Sequence, residues 1–420
     1  MDLVGKMLIK ALTVSKRWPV KPLVLLVGAA CCSVTAQETE DAVIKTESGI
    51  DLLPALNVGL THDNNVLRDT ENSLYSFIRI FAPSLKANLV DGANTYTMQF
   101  ALKDGYYYNS DADDYTDGYL SFESTLSPAA AHQFKLKAVA NQMHEDRGTG
   151  VYEGSGNQQN SVTKYASQTF DGEYQFGASS SKGKLFINTR LFNRDYFNFR
   201  DVTQYRDYDM ELWGTGFKYQ SEGGFDLVTE MSTADVQFKK LDPKGNRDNR
   251  DNNYRLGTEW DFTSITTGIL KLGYQSKNFV NEQREHFHGF AWETILQWQP
   301  LSYSGLDIAA GRRAKDLDAY VPTINLPGDN DYIIETSYSA GWNHQWSETY
   351  TTKLAYEFQT NWYNRDGRKD IADVITLEFV MKPRRWLTMK AFANIEDRQS
   401  NIGRIVYDRQ VVGFEFNLTL

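Results

Sequence analysis

The chain is nearly without cysteine: it has two, Cys31 and Cys32, adjacent and close to the amino terminus. Both fall in a segment that reads as a secretory signal, so the mature chain has none. That excludes disulfides, thiol catalysis and cysteine metal sites. Long apolar runs are also missing: after that segment nothing approaches the roughly 18 residues that a membrane helix requires, and mean hydropathy is −0.51. Basic charge is in deficit. Removing Lys6, Lys10, Lys16, Arg17, Lys21 and Asp2 from totals of 44 basic and 54 acidic residues leaves 39 and 53, a formal charge of −14, which speaks against nucleic acid as a partner.

The five basic residues precede an apolar run from Pro22 to Cys32 and then Val34-Thr35-Ala36 before Gln37. This is the layout of a signal peptide, residues 1–36, cleaved after Ala36. Neither cysteine has Leu or Val three residues before it, so lipidation is disfavoured. Residues 37–51 are acidic and without pattern, a short periplasmic leader.

From residue 52 to 420 the sequence alternates. In the last eleven residues Val412, Phe414, Phe416, Leu418 and Leu420 fall on one side of an extended chain, and Val411, Gly413, Glu415, Asn417 and Thr419 on the other. Tyr96, Met98, Phe100 and Leu102 oppose Thr95, Thr97, Gln99 and Lys103, and Leu354, Tyr356, Phe358 and Trp362 oppose Lys353, Glu357, Gln359 and Asn361. Such alternation excludes helices. It predicts an all-β chain, one transmembrane antiparallel β-barrel of about 18 strands, with 16 as the other count.

Connections alternate in size as a barrel requires. Short ones carry turn chemistry: Asp91-Gly92, Pro128 with three alanines, Ser179 to Gly183, Glu222 to Gly224, Pro300 to Ser304, and Lys382 to Arg385. Long ones are polar: Asn64 to Asn72, Ser110 to Thr116, Asp146 to Ser161, Leu241 to Asn253 and Asp316 to Asp331. Short turns belong on the periplasmic side and long loops outside. No plug-sized segment precedes the first strand.

The opening stretch Asn57-Val58-Gly59-Leu60 with Thr61-His62-Asp63-Asn64-Asn65-Val66, the all-barrel length and the closing strand resemble the outer-membrane β-barrel porins of exopolysaccharide and capsule gene clusters of Gram-negative bacteria. The resemblance implies an outer-membrane conduit or accessory for exopolysaccharide export in biofilm matrix formation. It implies a secreted polysaccharide and periplasmic export components as partners, and it carries over no functional residues. Gly413, Phe414, Phe416, Leu418 and Leu420 resemble the terminal signal read by the barrel-assembly machinery, with Leu420 in place of the usual Phe. Outer-membrane lipid and lipopolysaccharide are the surroundings to expect.

On the face opposite the apolar one stand Lys135, Lys137, Arg190, Arg194, Arg255, Glu259, Lys271, Arg313, Lys353 and Glu357, the candidate lumen contacts. Asp171, Glu173, Asp261, Lys277, Glu293, Glu335, Glu378, Lys390 and Glu415 share that face. Guanidinium and ammonium groups there would hydrogen-bond a hydrated solute; the plainer reading is that they pair with one another. Aromatic groups near strand ends, Tyr106 to Tyr108, Tyr196-Phe197, Trp342 with Trp346 and Trp362-Tyr363, read as interfacial girdles before sugar-stacking platforms. His286 and His288 share a face but lack a third metal ligand, and no cofactor is expected. Two further functions stay open: a general or solute-specific porin, and an outer-membrane barrel enzyme of lipase or protease type, for which no nucleophile-base motif stands out.

Overall fold

The computed structural model describes residues 43–263, 265–317 and 330–419, with the backbone alone for 261–263. The signal segment, the start of the leader, most of the stretch 316–331, the Asp261 side chain and Leu420 lie outside what it describes. A two-residue strand β1, Ile44–Lys45, comes first. Strands β2 to β19 follow as Ile50–Asp63, Ser76–Asp91, Asn94–Tyr107, Tyr115–Ala129, His132–Glu145, Thr163–Phe176, Gly183–Tyr196, Tyr208–Gln220, Phe225–Phe238, Asn249–Thr263, Thr266–Phe279, Phe287–Leu301, Ser304–Asp316, Tyr332–Gln345, Tyr350–Tyr363, Lys369–Arg384, Leu387–Ser400 and Tyr407–Thr419.

Each of β2 to β19 pairs antiparallel with the next, and β19 pairs with β2 from Val411↔Asp63 to Thr419↔Ala55, so eighteen strands close into a barrel. Closure is what lipid demands, because an unpaired backbone group in hydrocarbon costs several kcal/mol. β19 stops opposite Ala55, and β1 takes up part of the edge of β2 beyond it, with Ile44 opposite Leu52 and Lys45 opposite Asp51.

Alternation sorts the side chains. Phe81, Phe100, Phe122, Leu191, Leu256, Tyr338, Leu377 and Phe414 are exposed on the outer face; in a bilayer that face meets acyl chains. On the inner face the ordinary core is absent, and the buried apolar clusters among the described residues are small and sit near the strand ends that carry the long loops.

The turns at one end are short, such as 92–93, 130–131, 302–303 and 385–386, while the other end carries 64–75, 146–162, 197–207 and 239–248. Two expected loops are shorter than the sequence suggests. Asn249 to Asn253 form the start of β11, and Tyr115 and Thr116 the start of β5. In both stretches polar side chains sit on strands that rise beyond the apolar band, where polarity no longer marks a loop. The connection 197–207, with a helical turn at Arg200–Thr203, has no counterpart among the expected loops.

Candidate functional site

Every candidate lumen cation except Arg194 is neutralised by a carboxylate on a nearby strand. Lys135 meets Glu173 at 2.7 Å, Lys137 meets Glu123, and Arg190 grips Asp171 with Nε at 2.6 Å and Nη2 at 3.2 Å. Arg313 lies 3.1 Å from Glu335, which also takes Lys315 at 2.6 Å. Lys353 lies 3.7 Å from Glu378, and Lys390 bridges Glu378 and Glu415 at 3.8 and 3.0 Å. Glu259 receives Lys218 at 2.5 Å.

Cross-strand register explains the tightest of these groups. Arg255 is directly opposite Glu230 on one side and Gly273 on the other, and Lys271 is opposite Gly257 and Glu293. A Cβ on Gly273 would stand 2.8 Å from Arg255 Cγ, and one on Gly257 2.7 Å from Lys271 Cγ. Each glycine therefore leaves room for the facing stem to lie flat along the wall. Arg255 reaches Glu230 and Glu293 at 3.5 and 3.3 Å, and Lys271 reaches the same pair at 3.7 Å or less. The four make a two-cation, two-carboxylate square.

Arg194 instead stands over the rings of Tyr165, Phe192 and Tyr208, at 5.0, 5.5 and 5.7 Å. Lys277 is buried, held by Asp316 at 3.0 Å and Asp251 at 3.6 Å. Pairs as hydrated as the shallower ones contribute about 0–1 kcal/mol each. Their effect is to make a polar wall in which charge of either sign is locally cancelled.

The residues that shape the entrance escaped the sequence reading. Loop 146–162, between β6 and β7, folds inward. At its start Asp146 takes Arg68 at 2.8 Å and His144 at 3.1 Å, and Arg147 holds Asp113 through Nε at 2.8 Å. Burial alone would raise the Asp146 carboxyl, but Arg68 and then His144 outweigh it and hold the group well below the usual carboxylate range. Gly148 has φ +77°, and a Cβ there would lie 2.1 Å from the Leu67 carbonyl oxygen, so this crossing admits only glycine.

Farther along, Val151 and its neighbour Tyr152 pack with Phe199, Val202 and Tyr205 of the neighbouring loop. Burial, and then Asp201, push the Tyr152 phenol up. At the tip Glu153 is gripped by Arg368, just before β17, and Arg398 of β18. Five strands stand between β6 and β18 on the shorter way round, so this loop spans the mouth from one wall to another. Other loops are tied to it or to each other: Arg206 binds Glu145 at 2.6 Å, Arg247 donates to the carbonyls of Tyr205 and Leu317, and Arg284 and Arg365 share Asp331 at 3.1 and 2.8 Å. A signal for this was present in the sequence: a 17-residue connection with glycines at 148, 150, 154 and 156 can turn sharply and pack closely.

The aromatic groups divide. Tyr106, Tyr108, Phe197, Trp346 and Trp362 are exposed as girdle residues would be, whereas Tyr107 and Tyr196 are buried beneath the loops. Alternation sends the middle tyrosine of a triplet inward. His288 bonds the Ser276 hydroxyl, and His286 Nδ1 accepts the Phe279 amide. Gly413, Phe414, Phe416 and Leu418 lie in β19.

Among solved structures, the chain is similar to Pseudomonas aeruginosa OccK2 (OpdF), with 10% identity over 88% of this chain and 98% of that one and a TM-score of 0.49. It is similar to a BenF-like porin from Pseudomonas fluorescens Pf-5, with 10% identity over 88% and 99% and a TM-score of 0.48. Pseudomonas aeruginosa OccK8 (OprE) gives 9% identity over 90% and 100%, with a TM-score of 0.47. No curated protein matches. The family model described as "Putative beta-barrel porin 2" matches residues 52–419, the whole barrel, and the chain therefore belongs to that outer-membrane porin family.

Proposed function

We propose that the protein is an outer-membrane porin that passes small polar solutes through a lumen narrowed at its outer mouth by loop 146–162. The observation that carries this reading is that loop, bridging the mouth from Asp146 to Glu153 above a polar wall whose charges cancel locally. A bridged mouth suits a small solute better than a polymer chain. We therefore prefer solute passage to the exopolysaccharide conduit that the family resemblance implies. Insertion through β19 by the barrel-assembly machinery is part of the same reading.

The test is swelling of liposomes containing the purified barrel, in neutral sugars of increasing size, for the parent and for a variant with residues 149–157 replaced by a short glycine-serine link. Passage of monosaccharides by the parent, with a larger size limit in the shortened variant, is the expected result. Impermeability of both to every sugar would overturn the proposal.

A further inference from the structure

The grip on Glu153 has the form of a ligand site occupied by the protein itself. Its walls come from β16, β17, β18 and the connections that follow β16 and β18, not from loop 146–162. Asp370, 2% exposed, receives Arg368 through Nε at 3.0 Å and Nη2 at 2.6 Å, Arg398 at 3.0 Å and the Ser400 hydroxyl at 2.7 Å. Tyr363 donates its hydroxyl to the same carboxylate at 3.3 Å, and the Arg368 guanidinium lies 4.2 Å from the Tyr363 ring centre. One fixed carboxylate thus orients two guanidiniums before the loop contributes anything. Arg404 stands beside them, within electrostatic reach of both Arg368 and Glu153.

Glu153 supplies the second carboxylate, and it does not use all the donors. Arg398 Nε and Arg404 Nη2 are buried without a hydrogen-bond partner, and a buried bare donor is destabilising. Three guanidiniums against Asp370 and Glu153 leave one positive charge uncompensated within the group. A ligand with a carboxylate and an adjacent hydroxyl would match the charge that Glu153 supplies and also reach the bare donors. The tip is held against the site by packing: Gly154 lies so close that a Cβ there would be 2.7 Å from the Arg404 carbonyl oxygen.

We propose that Arg368, Arg398 and Arg404 form a binding site for the carboxylate of a small hydroxylated organic acid, with Glu153 as the resident group that the solute displaces. Binding and release of the loop tip are then one equilibrium. The apparent affinity is reduced by the fraction of time Glu153 fills the site. The inference rests on solute entry at this mouth, but the site itself is tested by binding.

The experiment is calorimetric titration of the purified full-length barrel with galacturonate and with galactose, sugars of matched size that differ by the carboxylate. Glu153→Gln should bind galacturonate at least tenfold more tightly than the parent, and galactose no better. Adding Arg404→Gln to Glu153→Gln should abolish the gain. Arg404→Lys in the same background, which keeps the charge but not the fork, should keep part of it. Heat-dependent migration on gels reports whether each barrel is folded. Equal affinity in parent and Glu153→Gln, equal binding of galactose, or a gain that survives loss of Arg404 would each overturn the proposal. Galacturonate that binds in the expected pattern but fails to cross in liposomes would leave the site standing and overturn the passage reading.

Discussion

Gly148→Ala is the substitution that most directly tests whether loop 146–162 sets the opening. The residue has φ +77°, and the added Cβ would stand 2.1 Å from the Leu67 carbonyl oxygen and 3.1 Å from its carbon. The left-handed conformation costs an alanine about 1–2 kcal/mol. The overlap, more than 1 Å inside any normal carbon–oxygen contact, must be relieved by moving one backbone off the other. Since Leu67 adjoins Arg68, which pairs with Asp146, movement here strains the first anchor of the loop. A combined penalty of roughly 3 kcal/mol changes a closed-to-open ratio about 150-fold in favour of the open mouth. Single-channel conductance in planar bilayers should rise, with fewer closures. Gly92→Ala is the control: φ is +59° in a short turn and no atom lies within 4 Å of its Cβ, so it shares the conformational strain without the clash. If Gly148→Ala yields a folded barrel with the parent's conductance, the loop does not limit the opening.

Acid should act on the same anchor. The Asp146 carboxyl is depressed in the fold, so its pairing with Arg68 is fully present above the ordinary carboxylate range and is lost as pH falls through the folded value, below that range. Conductance should therefore rise only in strong acid, while Asp146→Asn should show the raised conductance already at neutral pH; an Asn variant identical to the parent at both would refute the assignment. Replacing Arg255 and Lys271 together by Gln leaves Glu230 and Glu293 without these partners. The reversal potential in a KCl gradient should then move toward cation preference, and no movement would mean that the square lies off the conduction path. Finally, Asp397 is directly opposite both Asp373 and Asp408 on the outer face. Like charges so placed cost about 0.2–1 kcal/mol per pair, and Asp397→Asn should raise the unfolding temperature of the barrel on gels, a lowered one counting against the repulsion.

Period-2 alternation made the barrel legible in the sequence because each strand is a two-solvent problem, with lipid on one side and water on the other. Phe414 and Glu415 announce their faces by chemistry alone. The same rule ordered the wall: once Leu256 faces out, Arg255 must face in. It could not supply partners. Lys271 meets Glu230, two strands away, because register aligns β10, β11 and β12. A slip of one residue would have turned every such contact outward. The mouth was less legible still. Glu153 and Arg368 are 215 residues apart, and no periodicity governs a loop, so only the glycine spacing hinted that 146–162 packs tightly.

Whole-chain charge is a poor guide to this pore, for a reason visible in where the charge sits. The whole-chain net charge of −10 suggests attraction of cations, yet on the inner wall Arg190, Lys135, Arg313 and the Arg255–Lys271 square each have carboxylates within contact distance. Part of the excess lies on the outer face, as in the row Asp373, Asp397 and Asp408, which shares its side of the sheet with the exposed Ile375, Ile395 and Val412. The screening length in physiological salt is about 8 Å, so charges on the outside of an eighteen-stranded wall are largely damped before they reach the axis. In the proposed site the three guanidiniums around Glu153 carry one more charge than Asp370 and Glu153 cancel, so that site would favour an anion even though the protein as a whole is acidic.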